Sequence, residues 1–314
     1  MKQIPAVTVT LNPAIDQTLS VPGFAAGRVN RVAESRSHAG GKGVNVACCL
    51  ADLGVEVAAT GFLGADNTDL FEASFTRRGI ADFFVRIPGR TRVGIKIVDD
   101  RTRQTTDINF PGLAPEAEDL AELFERIFLL VEPESWFVLS GSVPAGAPDV
   151  IYARMIELLQ DRGGHVVLDT SGAPLREALA SVPEVMKPNV EELGELLGRT
   201  LATPAEVRAA GESLLARGAR LVVVSMGGDG AVFIDREQAL LARPPKVEVR
   251  STVGAGDAMV GGIVYSLIHD LPLADLARMA TAGGAYAVTR VGPGIEDREA
   301  HRKLIDQVEI EFLK

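Results

Sequence analysis

The chain has 314 residues, 46% of them hydrophobic and 24% charged, a balance that belongs to folded globular proteins and excludes a disordered chain. Its 42 acidic and 32 basic residues leave a formal net charge of −10, which sets aside nucleic acid as a partner because a phosphate backbone demands a basic face. No apolar run approaches the ~18 to 20 residues that span a bilayer, and the opening "MKQIPAVTVTLNPAID" has no signal-peptide core, so no membrane partner is expected and the expected location is the cytoplasm.

In chain order, apolar periodicity switches between two and about 3.6, as strands and helices in alternation require. "VTVTL" reads as a buried strand; Val46, Cys49, Leu50 and Leu53 then fall at helical spacing, with Gly54 as the stop. "VEVAATGFLG" is the next strand, followed by a helix carrying Leu70, Phe71 and Phe75 that ends at Gly79. "WFVLSG", "HVVLD", "EVMKPN" and "RLVVVS" are further strands separated by amphipathic helices, which predicts parallel pairing through right-handed crossovers. The length fits one large α/β domain or two ordinary ones. Cys48 and Cys49, the only cysteines, are adjacent in a helical pattern, so they form no disulfide framework and fit a reduced compartment as core fillers or a vicinal pair.

Two stretches interrupt the alternation, about 14–38 and 90–112. "TRVGIKIVDD" and "QTTDINFPG" alternate with a turn between them and have no helical segment, so they read as a hairpin. Together the two stretches predict a small antiparallel sheet projecting from the main body as a lid.

Chemistry concentrates in two glycine clusters. In "STVGAGDAMVGG", Gly254 and Gly256 precede a helical pattern through Ala258, Met259, Ile263, Val264 and Leu267. Bare amides and the positive end of a helix dipole converge there, an arrangement suited to an anion. Asp257 lies inside it and reads either as a helix cap or as a proton acceptor, with the Ala255, Gly256 and Asp257 amides on a transferring phosphoryl group. Its place near a helix N-terminus predicts a low pKa. The second cluster, "HAGGKGVNVACCLADLG", sets Lys42 among glycines before a helix, either a tight turn with a solvated lysine or a cation and amides facing one volume. Asn45, one turn on, is placed to meet a sugar hydroxyl. Neither a Walker loop nor a G-x-G-x-x-G fingerprint is present.

"GGKGVNVA" near one end of the chain and "TVGAGDAMVGG" near the other resemble the two signatures of the PfkB carbohydrate kinases, the ribokinase-like family. Intermediate motifs fall in the family's order across nearly the whole chain. The resemblance implies a single domain over 1–314 with a ribokinase-like three-layer α/β architecture, a mainly parallel central sheet and the small antiparallel β lid. It implies ATP and Mg²⁺ as cofactors. "LNPAID" places Asp16 on substrate hydroxyls, "SGSVP" places Ser142 near the sugar, and "GGKG" adds Gly40, Gly41 and Lys42 to the acceptor side. "KPNVEE" gives Lys187, Asn189 and Glu192 to the phosphate region, with Glu192 acting on magnesium through water. "SMGGDGA" resembles the glycine-rich nucleotide loop, bringing Ser225, Gly227, Gly228 and Gly230, with Thr252 beside them. Taken singly, each has a plainer reading: a strand-end polar cap for Asp16, a solvated helix carboxylate for Glu192, and a hairpin turn into "AVFID" for the glycine loop.

"VNRV", "TGFLGADN", "TTDINFPG" and "LDTSG" are most similar to the family branch that phosphorylates fructose 1-phosphate at C6. Such an acceptor needs a second anion pocket, for which Lys42, Arg92 and Lys96 are the first candidates and Arg28 and Arg31 the second. Spacing on a strand would put Arg92 and Lys96 on one face, either toward the site or as a charged sheet edge. Ala258 departs from the commonest pattern, in which a small hydroxyl residue stands there. Family lids often pair between subunits, which implies a homodimer. Tagatose-6-phosphate kinase and 6-phosphofructokinase activities share the signatures, an adenosine or ribose kinase would need no acceptor-phosphate pocket, and a non-catalytic sugar-phosphate sensor would keep the fold alone.

Overall fold

Residues 4–99, 101–102 and 104–313 are described by a computed structural model. Fifteen strands follow in chain order: β1 (Ala6–Thr10), β2 (Ala14–Ser20), β3 (Glu34–Gly40), β4 (Val57–Gly64), β5 (Ala81–Asp82), β6 (Val85–Ile87), β7 (Val93–Asp99), β8 (Gln104–Asn109), β9 (Trp136–Ser140), β10 (His165–Asp169), β11 (Val185–Met186), β12 (Leu221–Ser225), β13 (Ala231–Ile234), β14 (Ala239–Arg243) and β15 (Glu309–Leu313). The helices are α1 (Lys42–Leu53), α2 (Asp69–Arg78), α3 (Ala117–Leu130), α4 (Ile151–Gln160), α5 (Gly172–Ala178), α6 (Val190–Leu197), α7 (Pro204–Leu215), α8 (Ala255–Ile268), α9 (Leu273–Ala287) and α10 (Arg298–Ile305).

The large sheet runs β15-β14-β13-β12-β11-β10-β9-β1-β4-β5, with β6 also on β4. From β5 to β12 every pairing is parallel, and β13, β14 and β15 add on as an antiparallel edge. Strand alternation divides the core between two faces. Val7 and Val9 of β1 pack with Leu123 and Ile127 of α3 and Tyr152 and Met155 of α4. Ala6, with Val138 of β9, Val167 of β10 and Val185 of β11, faces α1, α8 and α9. The result is three layers, helices on both sides of one sheet, as the strand–helix alternation predicts.

The smaller sheet has the order β3-β2-β7-β8. β2 with β3 and β7 with β8 are antiparallel hairpins in the regions the sequence singled out: β7–β8 falls within 90–112, of which positions 100 and 103 lie outside the described residues, whereas β3 runs past the expected boundary at 38 to Gly40. The two hairpins join through a parallel β2–β7 pair, Asp16 opposite Gly94 and Thr18 opposite Lys96. The "EVMKPN" strand shrinks to two residues because Pro188 has no N–H for a ladder; the chain stays extended, and Asn189 bridges to Ser225.

Helix α8 is buried on almost every side, and two glycines allow that. A Cβ at Gly261 would lie 2.7 Å from the Cβ of Cys49 on α1, and one at Gly262 would lie 2.7 Å from the Cα of Ala280 on α9. Cys48 and Cys49 are free, buried thiols whose pKa burial pushes up, so they act as small fillers, Cys49 at this helix contact and Cys48 against Ser74 of α2. The close approach fixes the N-terminus of α8 beside that of α1. Among the described residues no helix is long and apolar enough to cross a membrane.

Candidate active site

The parallel strands end along one rim, and the segments that leave them line a cleft of about 710 Å³. This is where open α/β sheets place ligands. Of the residues singled out from sequence, it is lined by Asp16, Gly41, Lys42, Asn45, Arg92, Ser142, Lys187, Asn189, Glu192, Ser225, Gly227, Gly254, Gly256 and Asp257. Lys96 lines a smaller neighbouring cleft with Asp16, Asn45 and Gly254. Gly40, Gly228, Gly230, Thr252 and Ala255 line neither, and Arg28 and Arg31 are exposed in the β2–β3 connection.

Gly254 caps α8 with φ 78°, a left-handed conformation that suits glycine, so the chain turns sharply into the helix. The first i to i−4 bond runs from the Ala258 amide to the Gly254 carbonyl, which leaves the Gly256 and Asp257 amides ahead of it without helical acceptors. Gly256 itself is helical, contrary to the expectation of a special backbone there. A Cβ there would meet Lys187 Nζ at 3.5 Å, an ordinary van der Waals contact, so Gly256 packs directly against that lysine.

The N-cap of α8 is Gly254, and the Asp257 side chain is bonded to α1. Its Oδ2 accepts from Asn45 Nδ2 at 2.7 Å, across 212 residues of sequence, and both residues are buried at 7% and 8% exposure. The low pKa expected for a carboxylate at a helix N-terminus is corrected by this burial. Desolvation first, and the negative Asp169 second, push Asp257 up to about 6, against the pull of Lys42, the Asn45 bond and Lys187.

Asp169 is the residue that sequence reasoning missed. "LDTSG" counted only as a likeness, and a strand-end aspartate carries no signal of its own. Alternation along β10 sends Asp169 to the α1 and α8 face, where its Oδ1 lies 3.2 Å from both Lys42 Nζ and Lys187 Nζ. Asp169 and Lys187 side chains are 1% and 4% exposed, whereas Lys42 reaches the cleft at 38%. Burial raises the Asp169 pKa, but the two lysines outweigh it and hold the carboxyl below its ordinary value. Burial likewise pulls Lys42 down while Asp169, Asp257 and Glu192 lift it above the usual lysine value, so both partners are ionised.

On the opposite wall, Arg92 Nη2 donates to the Asn12 carbonyl at 3.2 Å, and Asn12 Nδ2 donates to Ser142 Oγ at 3.0 Å. Burial lowers the Arg92 pKa, and its Nε is buried with no hydrogen-bond partner in the protein. Lys96 is paired with Asp16, Nζ to Oδ1 at 2.8 Å. The even spacing of Arg92 and Lys96 thus brings both cations to Asp16, with Arg92 alone of the two in the main cleft.

Asn189 and Glu192 form a capping box on α6: Asn189 Oδ1 accepts from the Glu192 amide at 2.7 Å, and Glu192 Oε2 accepts from the Asn189 amide at 2.8 Å. Both also line the cleft, so this local structural reading and a ligand role coexist. Among the described residues no group of three or more His, Cys, Asp or Glu is gathered to hold a metal. Glu192, at the cleft lining, is a carboxylate of the kind that fits a hydrated ion carried in on phosphates.

The sequence matches the pfkB family carbohydrate kinase pattern over residues 1–300. The chain belongs to the pfkB family of carbohydrate kinases. Within that family it is 48% identical to 1-phosphofructokinase of Rhodobacter capsulatus, over 98% of this chain and 97% of that one. It is 36% identical to 1-phosphofructokinase of Escherichia coli strain K12, over 97% of each chain. Among solved structures it resembles phosphofructokinase-2 from Escherichia coli in complex with substrates and products, with a TM-score of 0.91 at 29% identity over 97% of this chain and 99% of that one. The pfkB fold seen here, a large mostly parallel sheet with a smaller sheet beside it, is the one the motifs implied.

Proposed function

We propose that this pfkB kinase transfers the γ-phosphate of ATP to the C6 hydroxyl of fructose 1-phosphate, giving fructose 1,6-bisphosphate and ADP. The observation that carries the reading is the buried Asp257 carboxylate at the mouth of α8, fixed by Asn45 and faced by Lys42 and Lys187. A base with a pKa of about 6 is largely ionised at neutral pH and still basic enough to take a hydroxyl proton as that oxygen attacks phosphorus. The Gly256 and Asp257 amides and the α8 dipole stabilise charge on the transferring group, with Gly254 and Ala255 setting the turn that aims them.

The acceptor lies between Asp16, Gly41, Asn45 and Ser142, with Gly40 packed behind Asp16 outside the lining of the cleft and Arg92 on the existing phosphate. A half-buried guanidinium with one unpartnered nitrogen is supporting ground, because an incoming phosphate would complete its hydrogen bonds. Lys96 stands nearby with one of its three donors held by Asp16. ATP lies along Lys187, Asn189, Ser225 and Gly227, with Gly228, Gly230 and Thr252 framing the turns outside the lining of the cleft. Glu192 would hold Mg²⁺ through water, and the bound ion would offset charge on the nucleotide phosphates.

Residues 1–314 act as one kinase unit, and the smaller sheet is the lid that excludes water from the site. Its surface carries exposed Val29, Val32, Ile108 and Phe110, which supports a homodimer formed lid to lid. The Escherichia coli phosphofructokinase-2 has a tetrameric inhibited form at a TM-score of 0.89. The thiol pair without a disulfide supports a cytoplasmic location.

A coupled ADP-release assay on fructose 1-phosphate, fructose 6-phosphate and tagatose 6-phosphate tests the acceptor. The expected order puts fructose 1-phosphate highest in kcat/KM. If it were the poorest of the three, the acceptor assignment would be wrong, and a 6-phosphate kinase of the same family would replace it.

A further inference from the structure

Asp169 has no part in proton transfer as described above, yet it lies where three elements meet. Thr10, Ser140 and Asp169 are register neighbours across β1, β9 and β10, and alternation turns all three toward the α1 and α8 side of the sheet. From there one carboxylate oxygen spans two lysines of different origin. Lys42 belongs to the glycine turn that opens α1, on the acceptor side of the cleft, and Lys187 follows β11 on the nucleotide side, against Gly256. Its second oxygen is buried with no donor in the protein, so the two ammonium groups are what balances its charge.

Two like charges held a few ångströms from a shared point repel each other, and lysine stems are flexible. Without the carboxylate between them the ammonium groups would separate, Lys42 toward solvent. We propose that Asp169 is a positioning residue for phosphoryl transfer: it clamps Lys42 and Lys187 side by side across the line along which the γ-phosphate travels. The inference rests on the kinase reading above. The groups that face Asp257 are Lys42, Asn45 and Cys49 from α1, Asp169 from β10 and Lys187 from the segment after β11. Asp169 is the acidic one among those in the cleft, so removing its charge favours ionisation of Asp257 at lower pH.

The test is Asp169→Asn in the full-length chain, nearly isosteric but uncharged. We expect kcat to fall about 100-fold, the scale of an ångström of misplacement in a reacting group, and the acid limb of the kcat/KM profile to move to lower pH. A merely structural aspartate would lower activity through the folded fraction and leave kcat per folded molecule and KM for ATP in place; a kcat per folded molecule within twofold of wild type overturns the proposal. Should Asp169→Asn fail to fold because it leaves two buried ammonium groups uncompensated, Asp169→Asn with Lys187→Met removes the ion pair as a unit. That variant is expected to fold and remain at least 100-fold impaired, and wild-type turnover in it overturns the proposal. If wild-type protein releases no ADP with any of the three sugar phosphates, the kinase reading itself fails and the positioning role goes with it; an active wild type with an indifferent Asp169→Asn removes the positioning role alone.

Discussion

Asn45 Nδ2 donates to Asp257 Oδ2 at 2.7 Å, joining the two glycine-rich signatures through one buried hydrogen bond. The contact exists because α1 and α8 pack at glycine distance, Gly261 against Cys49. It also alters what each residue does: Asp257 is not a helix cap, and Asn45 is committed to the carboxylate before any sugar arrives.

Replacing Asp257 with Asn should separate catalysis from stability. Loss of the base is expected to lower kcat by about 10³-fold, within the range general bases supply, with ATP affinity nearly unchanged by calorimetry. The folded carboxyl has its pKa raised, so its contribution to stability is present at low pH and lost as pH rises through about 6. At neutral pH the variant therefore escapes a desolvation cost on the order of 3 kcal/mol, at 1.36 kcal/mol per pKa unit. Its Tm should rise, and an equal or lower Tm would count against a buried, strained charge.

The acid limb of activity should follow the same group. Wild-type kcat/KM is expected to fall as pH drops through about 6, where Asp257 takes up its proton. The Asn45 bond favours the ionised form, so Asn45→Ala should shift that limb to higher pH and reduce turnover. A steady-state profile between pH 5 and 8, the window in which such a group titrates, reads both effects.

Arg92→Ala should act on the acceptor. If Arg92 holds the phosphate that the sugar already carries, KM for the phosphosugar rises about 100-fold, the loss of a charge-assisted contact of roughly 3 kcal/mol. KM for ATP should stay put. An unchanged phosphosugar KM would point to an uncharged acceptor.

Gly261→Ala should loosen the contact that joins the two signatures. The new methyl would fall 2.7 Å from Cys49 Cβ, an overpacking worth about 1–3 kcal/mol. Denaturant unfolding should show that loss, and kcat should drop with it because Asn45 and Asp257 move apart.

Phe110→Asp with Ile108→Asp should leave the main sheet intact while charging the exposed face of the smaller one. Analytical ultracentrifugation is expected to change from dimer to monomer. A wild-type monomer would remove the lid-to-lid interface.

Much of the architecture was legible in residue order. Strands such as "VTVTL" and "RLVVVS" are short apolar runs between amphipathic segments, and that pattern by itself implies parallel pairing with helices on both faces. Both glycine clusters were legible for a related reason, since a turn into a helix with bare amides needs glycine at fixed offsets. Less legible were the parallel join between the two hairpins, the fate of "EVMKPN" around Pro188, and the packing of Gly256 against Lys187.

The sequence by itself determined the layered α/β fold and the glycine turn into a helix at Gly254, because local periodicity and glycine placement act over a few residues and survive without a fold; the residues expected around that turn came from the resemblance of the motifs to the family. Only the tertiary structure decided that Asp257 is buried with its pKa raised instead of lowered, that Asp169 grips two lysines, and that Lys96 pairs with Asp16. Those are matters of dielectric and distance, and both are set by which segments remote in sequence the sheet brings to one rim.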